Sequence, residues 1–163
     1  MKKIFKIQER ILSKNKGVCM RTRTSDEYIS NRAWFRDVVG GKNVILKGVS
    51  ALEYLELFTG YIGEEQIDVY AETQGSYDNI NYCIVNSFKE IDFFIQGNIL
   101  CSTVNQAMND LFNDYENADE QALVEALSKY YYAHGMSFDG LNITFNRDEF
   151  EKLKEYAILF YGG

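Results

Sequence analysis

The hydrophobic repeat of this chain switches twice along its length, from helical spacing to alternation and back, and that order restricts the fold more than any motif does. Residues 104–115 form the clearest helical stretch: Val104, Ala107, Met108, Leu111, Phe112 and Tyr115 recur at the three-and-four spacing that lines one face. Four further helix starts pair a capping residue with a Glu three places on, at Thr24–Glu27, Ser50–Glu53, Asn117–Glu120 and Asn146–Glu149. The last opens a helix with Phe150, Leu153, Ala157 and Phe160 on one face. The spacing also predicts a first helix over residues 3–14, with Ile4, Ile7 and Ile11 inward. Another is expected over about residues 25–39, with Tyr28, Trp34, Phe35, Val38 and Val39 as its apolar stripe.

Between Gly60 and Ser102 the period changes. Residues 67–72 alternate as a half-buried strand does, and 81–85, 91–95 and 98–101 read similarly, separated by Gly, Asn and Ser turns. Connections this short predict antiparallel pairing, because parallel neighbours need a crossover of about a dozen residues or more. The expectation is an α+β fold, with a small, mainly antiparallel sheet flanked by helices and an N-terminal basic helical arm.

Proline is absent from the 163 residues, so turns rely on Gly, Asn, Asp and Ser. A hydrophobic content of 46% is enough to bury a sizeable core and argues against disorder. Cys19, Cys83 and Cys101 are odd in number and form no C-x-x-C pair, which predicts small buried hydrophobes rather than a zinc site or a disulfide framework. No apolar run reaches about 18 residues, and the basic start Met1-Lys2-Lys3-Ile4 lacks the apolar stretch of a signal peptide. A soluble, cytoplasmic protein without a membrane partner is expected.

Charge is split between the two ends. Residues 1–47 hold twelve of the seventeen Lys and Arg and four of the acids, a balance of +8, while residues 48–163 hold five bases and twenty acids, a balance of −15. This divides the chain into a basic N-terminal region, 1–47, and an acidic body, 48–163. A basic arm suggests an anionic partner, and Lys14, Lys16, Arg21, Arg23, Arg32 and Arg36 are the candidate nucleic-acid-binding residues. The competing reading is that these bases dock on the acidic body or are simply solvated, in which case the chain is a protein-interaction module.

No catalytic, metal or cofactor constellation follows from the residues. Gly75-Ser76 followed by Glu90-Ile91-Asp92 superficially resembles a nucleotidyltransferase signature, with a Gly-Ser turn for phosphate and paired carboxylates for Mg²⁺. That signature places Asp first and a helix between its parts, where this chain has the strand-like residues 80–85, so a turn and exposed strand acids are expected instead. His134, between Tyr130-Tyr131-Tyr132-Ala133 and Gly135, is expected to cap a helix C-terminus. The acids at Glu64, Glu65 and Asp68, and at Asp110, Asp114, Glu116, Asp119 and Glu120, lack EF-hand spacing. They read as solvated helix ends, or as a surface that meets a basic protein.

Residues 43–112 also carry a family pattern. Asn43-Val44-Ile45-Leu46-Lys47-Gly48-Val49-Ser50-Ala51-Leu52-Glu53-Tyr54-Leu55-Glu56-Leu57 resembles the Ser-x-x-Ala-Leu helix region of AbiEi-family antitoxins. Ile67-Asp68-Val69-Tyr70 and Gln74-Gly75 look like that family's next strand and turn. Gly97-Asn98-Ile99-Leu100-Cys101-Ser102-Thr103 with Asp110-Leu111-Phe112 resembles its later strand and following helix. Where the family pattern has Glu-Arg-Thr, this chain has Asn105-Gln106-Ala107, and its N-terminal region is shortened or divergent relative to the family's winged helix. The resemblance, over about residues 43–160, implies a non-enzymatic antitoxin of a type IV toxin–antitoxin system of the abortive-infection kind. Its partner would be a nucleotidyltransferase-like toxin, countered without a stable complex, and its DNA-binding end would act as a transcriptional regulator at its own promoter.

Overall fold

The computed structural model describes residues 9–11, 19–21, 31–61 and 66–160, with side chains from Arg32 onward. The elements are β1 (Glu9–Ile11), β2 (Cys19–Arg21), α1 (Asn31–Val39), β3 (Val44–Leu46), α2 (Gly48–Tyr54), β4 (Ile67–Ala71), β5 (Ile80–Ile84), β6 (Phe93–Gln96), β7 (Ile99–Ser102), α3 (Val104–Asn113), α4 (Glu120–Ala133) and α5 (Arg147–Phe160). Short 3-10 turns cover Phe88–Glu90 and Tyr115–Asn117. The α+β class stands. β1 and β2 pair antiparallel by themselves, and the other five strands form one sheet in the order β5-β4-β3-β7-β6.

That sheet is mixed rather than mainly antiparallel. β6 and β7 form the expected hairpin, turning at Gly97 (φ 62°) and Asn98, but β4 and β5 run parallel. Their link, residues 72–79, returns along the strands without a helix. Gly75 permits this, because a Cβ there would lie 2.2 Å from the Tyr82 hydroxyl. β3 is the central strand, antiparallel to β4 and parallel to β7. All three of its residues are buried, as suits a strand covered on both faces.

One core runs from Trp34 and Phe35 on α1 to Leu153 and Ala157 on α5, and it includes Leu46, Val69, Cys101, Met108, Phe112 and Leu127. The division after residue 47 therefore cuts through the sheet and the core. The predicted helix over 3–14 meets a strand at Glu9–Ile11, whose register is Glu9 with Arg21 and Ile11 with Cys19, and the rest of that stretch lies outside the described residues. Pairing with a neighbouring strand is the tertiary term that the period of one segment does not contain.

Two caps also move. α2 begins at Gly48 after Lys47, and Ser50 sits inside it, its hydroxyl accepting the Asp68 N–H at 2.9 Å. α4 is capped by Asp119, which accepts the Ala122 N–H at 3.0 Å, while Asn117 closes a 3-10 turn. On α5, Phe150, Leu153 and Ala157 are buried as expected, but Phe160 is exposed. Among the described residues no helix is long and apolar enough to cross a membrane.

A candidate functional site around Asp110

Lys47 links β3 to α2, Tyr70 lies on β4, and Gln106 and Asp110 stand one turn apart on α3; the register of the sheet and the Thr103 cap of α3 bring these four together. Asp110 Oδ1 accepts from the Tyr70 hydroxyl and from Gln106 Nε2, the latter at 2.9 Å. Its Oδ2 is buried with no hydrogen-bond partner. Lys47 Nζ lies 5.4 Å from the centre of the Tyr70 ring. Burial pushes the Asp110 carboxyl above its ordinary value, and the Tyr70 hydroxyl, the Lys47 charge, the Gln106 amide and the Gly48 N–H offset only part of that. Burial, followed by the bond to Asp110, pushes the Tyr70 hydroxyl upward as well.

Lys47 and Asp110 line a groove of about 380 Å³ that also carries Ser50, Glu53, Asp68, Asn81, Asp114 and Asp119. Asn81 Nδ2 holds Asp68 Oδ1 at 2.9 Å. Carboxylates outnumber the Lys47 cation in this lining, so the groove is built to attract basic groups. A larger cavity of about 470 Å³ between residues 138–143 and α5 has Arg147 and Lys154 offset by Asp139 and Glu151. The site is placed at the smaller groove, where the buried carboxylate lies.

Gln106 joins the two sides of the site. Its amide donates to Asp110, and its Oε1 accepts the Asp92 N–H at 3.2 Å. Asp92 in turn accepts the Thr103 hydroxyl at 2.8 Å, and Thr103 Oγ1 accepts the Gln106 N–H, closing the start of α3. Asp92 is thus tied into a helix cap, while Ser76 stands exposed on the 72–79 link and Glu90 exposed in a 3-10 turn. Asn105 clamps the α4–α5 loop by donating to the Gly140 carbonyl (2.9 Å) and accepting the Asn142 N–H (2.7 Å). Among the described residues no three of His, Cys, Asp and Glu gather as a metal-binding group.

Of the basic residues singled out in the sequence, Lys14, Lys16 and Arg23 lie outside the described residues, and Arg21 is described only as part of the β2 backbone. Arg32 is held intramolecularly: its Nε donates to the Tyr54 carbonyl at 3.0 Å, approaches Glu56 at 3.5 Å, and its guanidinium lies 5.6 Å from the centre of the Tyr54 ring. Arg36 is exposed one turn further along α1. His134 caps α4, its ring stacked on Tyr130 at 3.8 Å. Tyr130 is buried, Tyr131 half-buried and Tyr132 exposed.

A second polar centre was not singled out in the sequence. Glu125, 7% exposed on α4, accepts at one oxygen from the Thr59 N–H (3.0 Å), the Thr59 hydroxyl (2.5 Å) and Lys129 Nζ (2.6 Å). The Glu125–Lys129 spacing of four was legible, but Thr59 lies 66 positions away. No family model matches this sequence, and no curated protein sequence matches it.

Proposed function

We propose that this chain is a non-enzymatic AbiEi-like antitoxin, acting in the cytoplasm to counter a nucleotidyltransferase-like toxin, with its basic N-terminal segment available to bind the DNA of its own promoter. The observation that carries this reading is convergence. Gly48, Ser50, Tyr70 and Asp110 come from three separated stretches of the family-like pattern. Ser50 and Asp110 line one groove together with Asp68, and the Ser50–Asp68 and Tyr70–Asp110 hydrogen bonds tie the three stretches to each other. A pattern made only of unrelated core positions gives no such polar meeting point. The acidic lining of the groove suits a basic protein surface, and the resemblance supplies the kind of protein.

The test is co-expression of the full chain with the protein encoded beside it. Rescue of a growth arrest is expected, and a harmless neighbour, or an arrest that persists, sinks the reading. A deletion through residue 47 would remove β3 from the centre of the sheet, so the arm is best tested in the full chain by Lys14→Gln, Lys16→Gln, Arg21→Gln and Arg23→Gln together. DNA affinity should fall with salt at a log–log slope of about −0.9 per phosphate neutralised, and this variant should flatten the slope while leaving rescue intact.

A further inference from the structure

Among the described residues the five-stranded sheet ends in β5 on one side and β6 on the other, each paired with a single neighbour. Proteins usually guard such edges with charge, proline or a bulge, because an open row of N–H and C=O groups templates another strand. β5 has none of these guards. Ile80-Asn81-Tyr82-Cys83-Ile84 carries no charge and no proline, and its register against β4 is unbroken. Cys83 is exposed and Ile84 is 51% exposed. The Val85 N–H bonds inward to the Ala71 carbonyl at 2.9 Å, so backbone alternation turns the N–H and C=O groups of Tyr82 and Ile84 to the open side.

We propose that β5 is a self-association edge, at which two copies of this chain pair β5 with β5 antiparallel about a two-fold axis at Cys83, joining two five-stranded sheets into one. The occupant is a second copy because the strand is complementary to itself in this register. Tyr82 faces Ile84 of the second copy twice over, an aromatic and β-branched pair of the favoured kind, and each pair covers the exposed isoleucine. Residues 80–86 carry no charge, so no like charges meet across the axis. With the outward groups of Tyr82 and Ile84 making the bonds, Cys83 faces its own mate at a non-hydrogen-bonded position. The Cα atoms are then about 4.5 Å apart, within the span a disulfide bridges. A two-fold pairing consumes the β5 edge, whereas joining β5 to β6 would leave an edge at each end and propagate.

Sedimentation of the full chain over a wide dilution series tests this. The expected result is a concentration-dependent dimer. Ile84→Lys puts a charge on the edge and should raise the dissociation constant at least about tenfold, while Ile95→Lys on β6 leaves it unchanged. Thermal melts matching the parent show that each variant is folded. Independently of these, mild copper(II) oxidation in a Cys19→Ser background should draw two electrons and two protons from a pair of Cys83 thiols. The product is a disulfide-linked dimer that Cys83→Ser abolishes. A monomer throughout the series, a dimer that survives Ile84→Lys but not Ile95→Lys, or cross-linking that persists in Cys83→Ser would overturn the proposal.

Discussion

Glu125 and Asp110 are both helix carboxylates drawn into the protein, and both accept hydrogen bonds at one oxygen, yet they are shifted in opposite directions. At Glu125 burial pushes the carboxyl up, but the Lys129 and Thr59 hydrogen bonds and the Lys129 charge outweigh it and hold the group below its ordinary value. At Asp110 the donors are neutral groups, and together with the Lys47 charge they offset only part of the burial. A cation at 2.6 Å makes one carboxylate a fastening, while neutral donors leave the other under tension.

The largest expected effect is at the fastening. Glu125→Ala strands Lys129 and the Thr59 N–H, and should cost about 2–3 kcal/mol of stability in urea denaturation. Asp110→Asn removes a disfavoured charge and keeps an acceptor, so its stability at neutral pH should stay within about 1 kcal/mol of the parent, on the stabilising side. The two sites should also separate by pH. The stability Glu125 contributes is present above its unfolded value, near 4.5, and is lost as pH falls through its lower folded value. The contribution of Asp110 is complete below its unfolded value, near 3.8, and is lost as pH rises through its higher folded value. Difference curves against Glu125→Gln and Asp110→Asn should therefore slope in opposite senses, and parallel slopes would abolish the contrast. The smallest effect is the most diagnostic. Gln106→Arg gives Asp110 a cation, so the carboxyl resonance of Asp110 should titrate at lower pH with stability changed by about 0.5 kcal/mol. An unmoved titration would mean that Arg does not reach the carboxylate.

The helices were largely legible because their information is local. The stripe from Val104 to Phe112 and the buried side of α5 follow from spacing alone, although capping-box matching misplaced the starts of α2 and α4. Ser50 illustrates why: its hydroxyl serves the Asp68 backbone, a partner that cap patterns do not include. Strand pairing was less legible. The short link between β4 and β5 predicted a hairpin, and the parallel return depends on the close approach of Gly75 to Tyr82. β3, three residues long, gave no alternation to detect. Of the candidate site, Asp110 was singled out by resemblance and within an acidic cluster that read as solvated helix ends, whereas its Oδ2 is buried. Its dependence on Tyr70 and Gln106, like that of Glu125 on Thr59, is a property of folded neighbours rather than of spacing.

The position of β3 has a consequence for the order in which the protein takes shape. The chain lays down the middle of its sheet first: Leu46 is synthesised before either flanking strand, and its partner Cys101 follows 55 positions later. On a ribosome, β3 therefore emerges as an apolar ribbon with neither neighbour made, and β4 can shield only one of its sides. The other side stays open until β7 has left the exit tunnel, so a pause in translation before Ser102 would hold the nascent chain in its most adhesive state.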